Sequence, residues 1–180
     1  SVVKTPQYLK SWIGASMSSL LDGRMQQGDF RIISGNVLSG DKVEMDGYLG
    51  FFSNVVTVIP EGREPQFLGW LAPNFHKFSL SHSYFSWLMP KKKYSLNTNL
   101  NGEDRAYVMS GQYEDVLPMD IYPVHLIKSI MTNDIEKMEA LGIYEVAPED
   151  FALCEFACTS KTPVQRLIMQ GIDAAIEELG

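Results

Sequence analysis

The sequence is poor in the residue types that most protein chemistry requires. Among its 180 residues there are only two cysteines, Cys154 and Cys158, and three histidines. Two cysteines so close in sequence cannot build the disulfide framework of a secreted domain, so a reducing, cytoplasmic setting is expected. Basic residues are also in deficit: Lys and Arg number 15 against 22 Asp and Glu, a formal net charge of −7. Phosphate backbones demand a basic face, which argues against nucleic acid as a partner and disfavours direct adsorption to anionic lipid. No apolar run approaches the roughly 20 residues that span a bilayer, and no signal peptide is recognisable. Dinucleotide, P-loop, metalloprotease and nucleophile-elbow motifs are all missing. His76, His82 and His125 lack metal-ligand spacing, and no carboxylate pair stands apart from the solvated acids. The reading therefore assigns no catalytic residue, no cofactor-binding residue and no metal ligand.

What the chain does contain falls into two halves. Phe30, Ile32 and Ile33 form a short apolar run that Ser34-Gly35 interrupts, Val37-Leu38 resumes it, and Ser39-Gly40-Asp41 turns the chain. Val55 to Ile59 is a β-branched run ending at Pro60-Glu61-Gly62. Short β-branched runs divided by Gly, Pro, Ser and Asp predict strands joined by turns. Upstream, Tyr8, Leu9, Trp12 and Ile13 predict a strand, followed by a short helix with Ser16 as N-cap, Leu20 and Leu21 inward and Gly23 as the stop. The polar run Asn97 to Asp104 marks a boundary. From Asp120 onward the spacing is helical. Asp120 is a candidate cap for a helix with Pro123 in its first turn and Val124, Ile127, Ile130 and Met131 on one face. Asn133 or Asp134 opens a second, with Ile135, Met138 and Leu141 inward and Gly142 as its end. Pro148-Glu149-Asp150 is a helix start, with acids at the positive end of the dipole. After Thr162-Pro163, residues Val164, Leu167, Ile168, Ile172, Ala175, Ile176 and Leu179 make an apolar stripe. The fold class is α+β: residues 1–100 form a β-rich region and residues 101–180 a small helical bundle.

Two features are candidates for function. The stretch from Pro60 to Tyr94 is unusually aromatic, with Phe67, Trp70, Phe75, Phe78, Tyr84, Phe85, Trp87 and Tyr94. These rings either fill a core between strands or form an exposed surface for a partner or an apolar ligand. Pro73-Asn74 breaks the strand pattern, so Phe75 and His76 are the members expected to project from a turn; Lys91-Lys92-Lys93 reads as a solvated turn. The second feature is ALCEFAC, where a four-residue separation on a helix puts Cys154 and Cys158 on one face. They are either buried, ordinary side chains or a redox-active or metal-bridging pair.

The wording of the β-rich half is more specific than its periodicity. RIISGNVLSG, GYLGFF and VTVIPEGREPQFLGWL, followed by RAYVMSGQYEDVLPMDI and ALCEFAC, closely resemble the A subunit of the bacterial sodium-translocating NADH:quinone reductase. The resemblance implies a β-grasp module of the soluble-ligand-binding type (SLBB-like) in residues 1–100, ahead of the helical domain. It implies a cofactor-free, peripheral subunit on the cytoplasmic side of the bacterial inner membrane, seated against a membrane subunit. NAD, FMN or FAD, iron–sulfur clusters and quinone would belong to the complex, and Phe75 and His76 become candidate contacts for quinone or a partner subunit. The start at Ser1 fits a piece of a longer protein. Related subunits of complex I and the Rnf complex carry C-x2-C-x2-C-x3-C at the cysteine region. On that frame Cys154 and Cys158 are the last two ligands and Pro148 and Phe151 stand where the first two would be. The pair is then a degenerate iron–sulfur remnant. After Cys158 the wording TSKTPVQ departs from the family. Readings of another kind are a stand-alone β-grasp ligand-binding module and a ferredoxin-like electron carrier that has lost its cluster.

Overall fold

The structure, a computed structural model, describes residues 2–179 apart from Pro65, Trp70, Pro73 and Asp104. Trp70, Pro73 and Asp104, and the side chain of Leu179, figure in the sequence reading and lie outside the described residues. The chain divides into two compact units, Ser1–Glu103 and Asp104–Gly180. Its class is α+β, as expected: a three-stranded antiparallel sheet, then helices.

In the first unit, α1 (Met17–Leu21) begins at Ser16, whose hydroxyl accepts from the Ser19 amide and satisfies one orphan donor of the first turn. The sheet has the order β2-β1-β3, with β1 at Phe30–Ser34, β2 at Asp41–Val43 and β3 at Val56–Pro60. Ile32 sits opposite Val43 on one side and Val58 on the other. The helix buries Met17, Leu20 and Leu21 against Ile32, with Phe30, Val43, Leu49, Val56 and Val58 packed around them.

Three expectations are corrected here. Residues 8–13 form no strand; Tyr8, Trp12 and Ile13 are exposed, and the segment that precedes them pairs through a single bridge, Val3 to Met25. Val37 and Leu38 do not resume a strand but lie in the turn that Asn36 closes, its side-chain oxygen accepting from the Leu38 and Ser39 amides. The strand that pairs there is instead Asp41–Val43, too short and too charged to show a β pattern. Nor do the aromatic rings from Phe67 to Tyr94 fill a core between strands: of the described members only Tyr84 is buried.

The second unit is built on α2 (Pro123–Met131), α3 (Ile135–Ala140), α4 (Ala152–Ala157) and α5 (Val164–Leu179). Pro123 occupies the first turn of α2, where its missing N–H costs nothing, but Tyr122 rather than Asp120 is the cap residue. Asp134 caps α3, accepting from the Lys137 amide, and Gly142 ends that turn at φ +87°, a left-handed conformation that glycine adopts without strain. The Pro148–Phe151 turn leads into α4, and the Asp150 carboxylate accepts from the Ala147 amide at 2.8 Å. One core joins these elements: Leu126, Ile127, Met138, Ile143, Phe151, Val164, Ile168 and Ala175 among others. Met131 and Ile176, read as inward, are exposed, each lying at the end of its helix beyond the core.

The crossing of α2 and α5 is tight at Gly171. A Cβ there would stand 2.7 Å from Cγ1 of Ile130, 2.8 Å from its Cδ1 and 3.2 Å from Cδ1 of Ile143. Gly171→Val is expected to destabilise the protein by about 1–3 kcal/mol through overpacking. Gly171→Ala should cost less, because about 1 kcal/mol of helix propensity offsets the crowding. The urea midpoint followed by helical circular dichroism measures both.

Candidate functional site

The aromatic stretch is a long excursion from the end of β3, closed at its base by the Glu61 carboxylate. Arg31 on β1 grips that carboxylate with both arms, Nε to Oε2 at 3.0 Å and Nη2 to Oε1 at 2.7 Å. From the far end of the excursion the Thr98 hydroxyl donates to Glu61 Oε1 at 2.6 Å and accepts from the Gly62 amide at 2.8 Å. Asn99 adds a bond from Nδ2 to the Glu64 carbonyl at 2.7 Å. Hydrogen bonds from Arg31 and Thr98 hold the Glu61 carboxyl below its ordinary range. A lowered carboxylate stabilises the folded chain above its ordinary pKa, and this stabilisation is lost as acid protonates it.

Within the excursion, Asn74 builds the turn that presents Phe75 and His76. Its Oδ1 accepts from the His76 amide at 2.6 Å and the Lys77 amide at 3.2 Å, while its carbonyl accepts from the Phe85 amide at 3.2 Å. The Phe75 ring lies 4.7 Å from that of Phe85, and yet Phe75 remains 53% exposed. His76 is exposed beside it. The Lys92 ammonium donates to the Phe75 carbonyl at 2.8 Å, so the middle lysine of the run is a brace rather than a purely solvated group. Behind the turn, Lys77 donates to the Gly69 carbonyl at 3.0 Å and to Gln66, and sits over the Tyr84 ring. Burial lowers its pKa. The Tyr84 hydroxyl donates to the same Gly69 carbonyl at 2.6 Å. The result is a braced turn carrying an apolar ring and an imidazole in the open. Such a pair can press on an apolar partner surface and offer one hydrogen bond.

The cysteines belong to the other unit and serve a different purpose. Cys154 lies inside α4 and Cys158 caps its end; both are free and buried in the core. The Cys154 Sγ is 4.0 Å from the Tyr113 carbonyl oxygen, and the Tyr113 hydroxyl is packed against Cys158. The Tyr107 ring lies tilted against that of Tyr113, with centroids 5.9 Å apart. Burial, with the neighbouring thiol, raises the pKa of both phenols above the ordinary tyrosine value. Burial also pushes the Cys154 thiol up to about 12. Phe151, at one of the positions where a cluster ligand would stand, is fully buried core. Among the described residues no group of three or more His, Cys, Asp or Glu side chains gathers as a metal site would require. An iron–sulfur cluster does not fit this donor set.

His82 and His125, by contrast, are exposed, beside Trp87 and Tyr122 respectively. The Arg31–Glu61–Thr98 clamp and the Tyr107–Tyr113 pair escaped the sequence reading. The clamp joins residues 30 and 37 positions apart, and the tyrosine pair carries no motif. The one signal that could have been followed is an isolated arginine in an apolar strand.

Buried thiols predict a specific behaviour. A water-soluble disulfide reagent should modify native Cys154 and Cys158 slowly at neutral pH, with the rate rising sharply in denaturant. Because the folded Cys154 pKa is raised from 9.0 to about 12, its contribution to stability is complete below about pH 9 and is lost as pH climbs toward 12. Cys154→Ala should flatten that part of the stability–pH curve. Rapid native labelling would contradict the burial.

Comparison with known proteins agrees with the resemblance. The model of the "NQRA C-terminal domain" family matches residues 1–45. The chain is 40% identical to the A subunit of the Na(+)-translocating NADH-quinone reductase of Yersinia pestis bv. Antiqua over 175 residues, 95% of this chain and 39% of that protein. It is 40% identical to that of Glaesserella parasuis serovar 5 over 98% of this chain and 39% of that protein. For Vibrio anguillarum the identity is 39% over 98% of this chain and 40% of that protein. The chain thus spans about two fifths of the length of these curated relatives. Among the described residues no helix is long and apolar enough to cross a membrane. With such identity along nearly its whole length, the chain belongs to the family of the A subunit of the Na(+)-translocating NADH-quinone reductase.

Proposed function

We propose that this chain acts as a peripheral, cofactor-free portion of a Na(+)-translocating NADH:quinone reductase. The observation that carries the reading is identity of about 40% along nearly the whole chain to subunits of that name; the free, buried state of Cys154 and Cys158 supports its cofactor-free part. Electron transfer from NADH to ubiquinone and sodium export are then work of the assembled complex. NAD, FMN or FAD, iron–sulfur clusters and quinone are handled by its other parts. This portion docks on other members of the complex, chiefly a membrane subunit, on the cytoplasmic side of the inner membrane. Residues 1–100 act as the SLBB-like β-grasp module and residues 101–180 as the helical domain. No residue here carries the reaction, and the isolated chain does not oxidise NADH.

Within this reading the Asn74–Lys77 turn is the contact. Its ring and imidazole stand exposed on a braced support, which suits pressing on a neighbouring protein or holding a quinone ring whose carbonyl accepts from a neutral histidine. In an intact complex built with this chain's sequence, Phe75→Ala with His76→Ala is expected to lower quinone reduction or assembly of the complex at least about tenfold, roughly 1.4 kcal/mol. The melting temperature of the isolated chain should change little, since neither residue is buried. Unchanged turnover and assembly together with a midpoint several degrees lower would make the turn purely structural.

A further inference from the structure

The first unit exposes a second aromatic surface, separate from the Phe75 turn. Trp12 is 88% exposed and Phe52 96%, and Tyr8, Ile13, Tyr48 and Phe51 are also largely exposed. Backbone bonds lace the two segments that carry them: the Leu49 amide donates to the Ala15 carbonyl at 2.9 Å, the Met17 amide to the Gly47 carbonyl at 2.9 Å, and Ser16 bridges to Tyr48. Phe51 and Phe52 stand edge to face, 4.9 Å apart, in the turn that follows. The unit's buried cluster, by contrast, has only Met17, Leu20, Leu21 and Ile32 fully inside. Folded proteins rarely leave more large rings in water than they bury; such a surface is normally covered.

We infer that this surface is the seat of the remaining three fifths of an A-subunit polypeptide. The relatives carry that much additional chain beyond the stretch matched here, and the match to their C-terminal domain falls on residues 1–45, which include Tyr8, Trp12 and Ile13. A lipid surface is the competing occupant. The net charge does not dismiss it, because residues 1–103 carry ten basic and eight acidic side chains while residues 104–180 carry five and fourteen. Against lipid stands the build of the surface: rings carried by two segments laced through their backbones suit a contoured protein face, whereas an interfacial anchor is commonly a single amphipathic helix. Of the proposed function, the inference uses only the family membership and is independent of the role given to Phe75 and His76.

Cysteine labelling tests it. Trp12→Cys, Phe52→Cys and, as a control on the helical unit, Leu153→Cys are each labelled with a maleimide in the 180-residue chain. Labelling is repeated with an excess of the Vibrio anguillarum relative lacking the stretch matched here, and again with phosphatidylcholine–phosphatidylglycerol vesicles. The expected result is a tenfold or greater slowing at positions 12 and 52 with the polypeptide, and none at 153 or with vesicles. Should the added polypeptide not fold alone, the same positions are compared in a covalent fusion of the two, where the same slowing is expected. Equal rates with and without the polypeptide, in the mixture and in the fusion alike, overturn the inference. So does equal slowing at all three positions, as aggregation would produce, and so does protection by vesicles alone, which would assign the surface to lipid. Loss of quinone reduction on changing Phe75 and His76 has no bearing on these rates, so the two readings fail separately.

Discussion

The helical unit depends on a single close approach. α5 can lie against α2 only because Gly171 presents no side chain to Ile130 and Ile143. With the backbones that near, Val164, Ile168 and Ala175 enter the space between α2 and the Pro148–Phe151 turn, and the core closes around Phe151. The cysteines take their character from this closure. They sit where thiols pack as small apolar groups, next to Tyr107 and Tyr113, and burial keeps Cys154 protonated far above neutral pH. A thiolate that metal or oxidant could use would have to be created at the expense of the core.

The first unit solves a different problem. Its sheet is small, and its longest excursion has few buried rings to hold it. One carboxylate compensates: Glu61 receives both arms of Arg31 and the Thr98 hydroxyl, joining a strand, the start of the excursion and its end. A bidentate guanidinium pair with one side largely shielded is stronger and more directional than the exposed pairs elsewhere, such as Lys42–Glu44. That fixed base lets Asn74, Lys77 and Lys92 set the Phe75 turn without a core beneath it.

Much of this was legible from residue order, and the failures share a cause. Ser16, Asp134 and Asp150 act through hydrogen bonds to neighbours a few positions away, and Gly142 and Pro148 through their own backbone preferences, so their roles in starting or ending helices can be read locally. The apolar runs at Phe30 and Val56 likewise declare themselves. Tyr8 to Ile13 look like a strand because rings and β-branched residues favour one, but a strand needs a partner, and β1 already has β2 and β3 beside it. Asp41–Val43 became that partner despite its charge, since a turn at Asn36 delivers it in register. Phe75 and His76 were readable as turn residues from Asn74; what braces them, through Lys92 and Phe85, was not. Cys154 and Cys158 were readable as a pair, but Tyr113, 41 residues before Cys154, could be placed beside them only by the fold.

We propose that these two thiols now serve as core packing and hold no iron–sulfur cluster, whatever centre they descend from. The most direct measurement is a visible absorption spectrum with iron analysis on the chain purified without exposure to oxygen. A colourless protein with iron far below one atom per chain is expected. A broad sulfur-to-iron charge-transfer band accompanied by stoichiometric iron would contradict it.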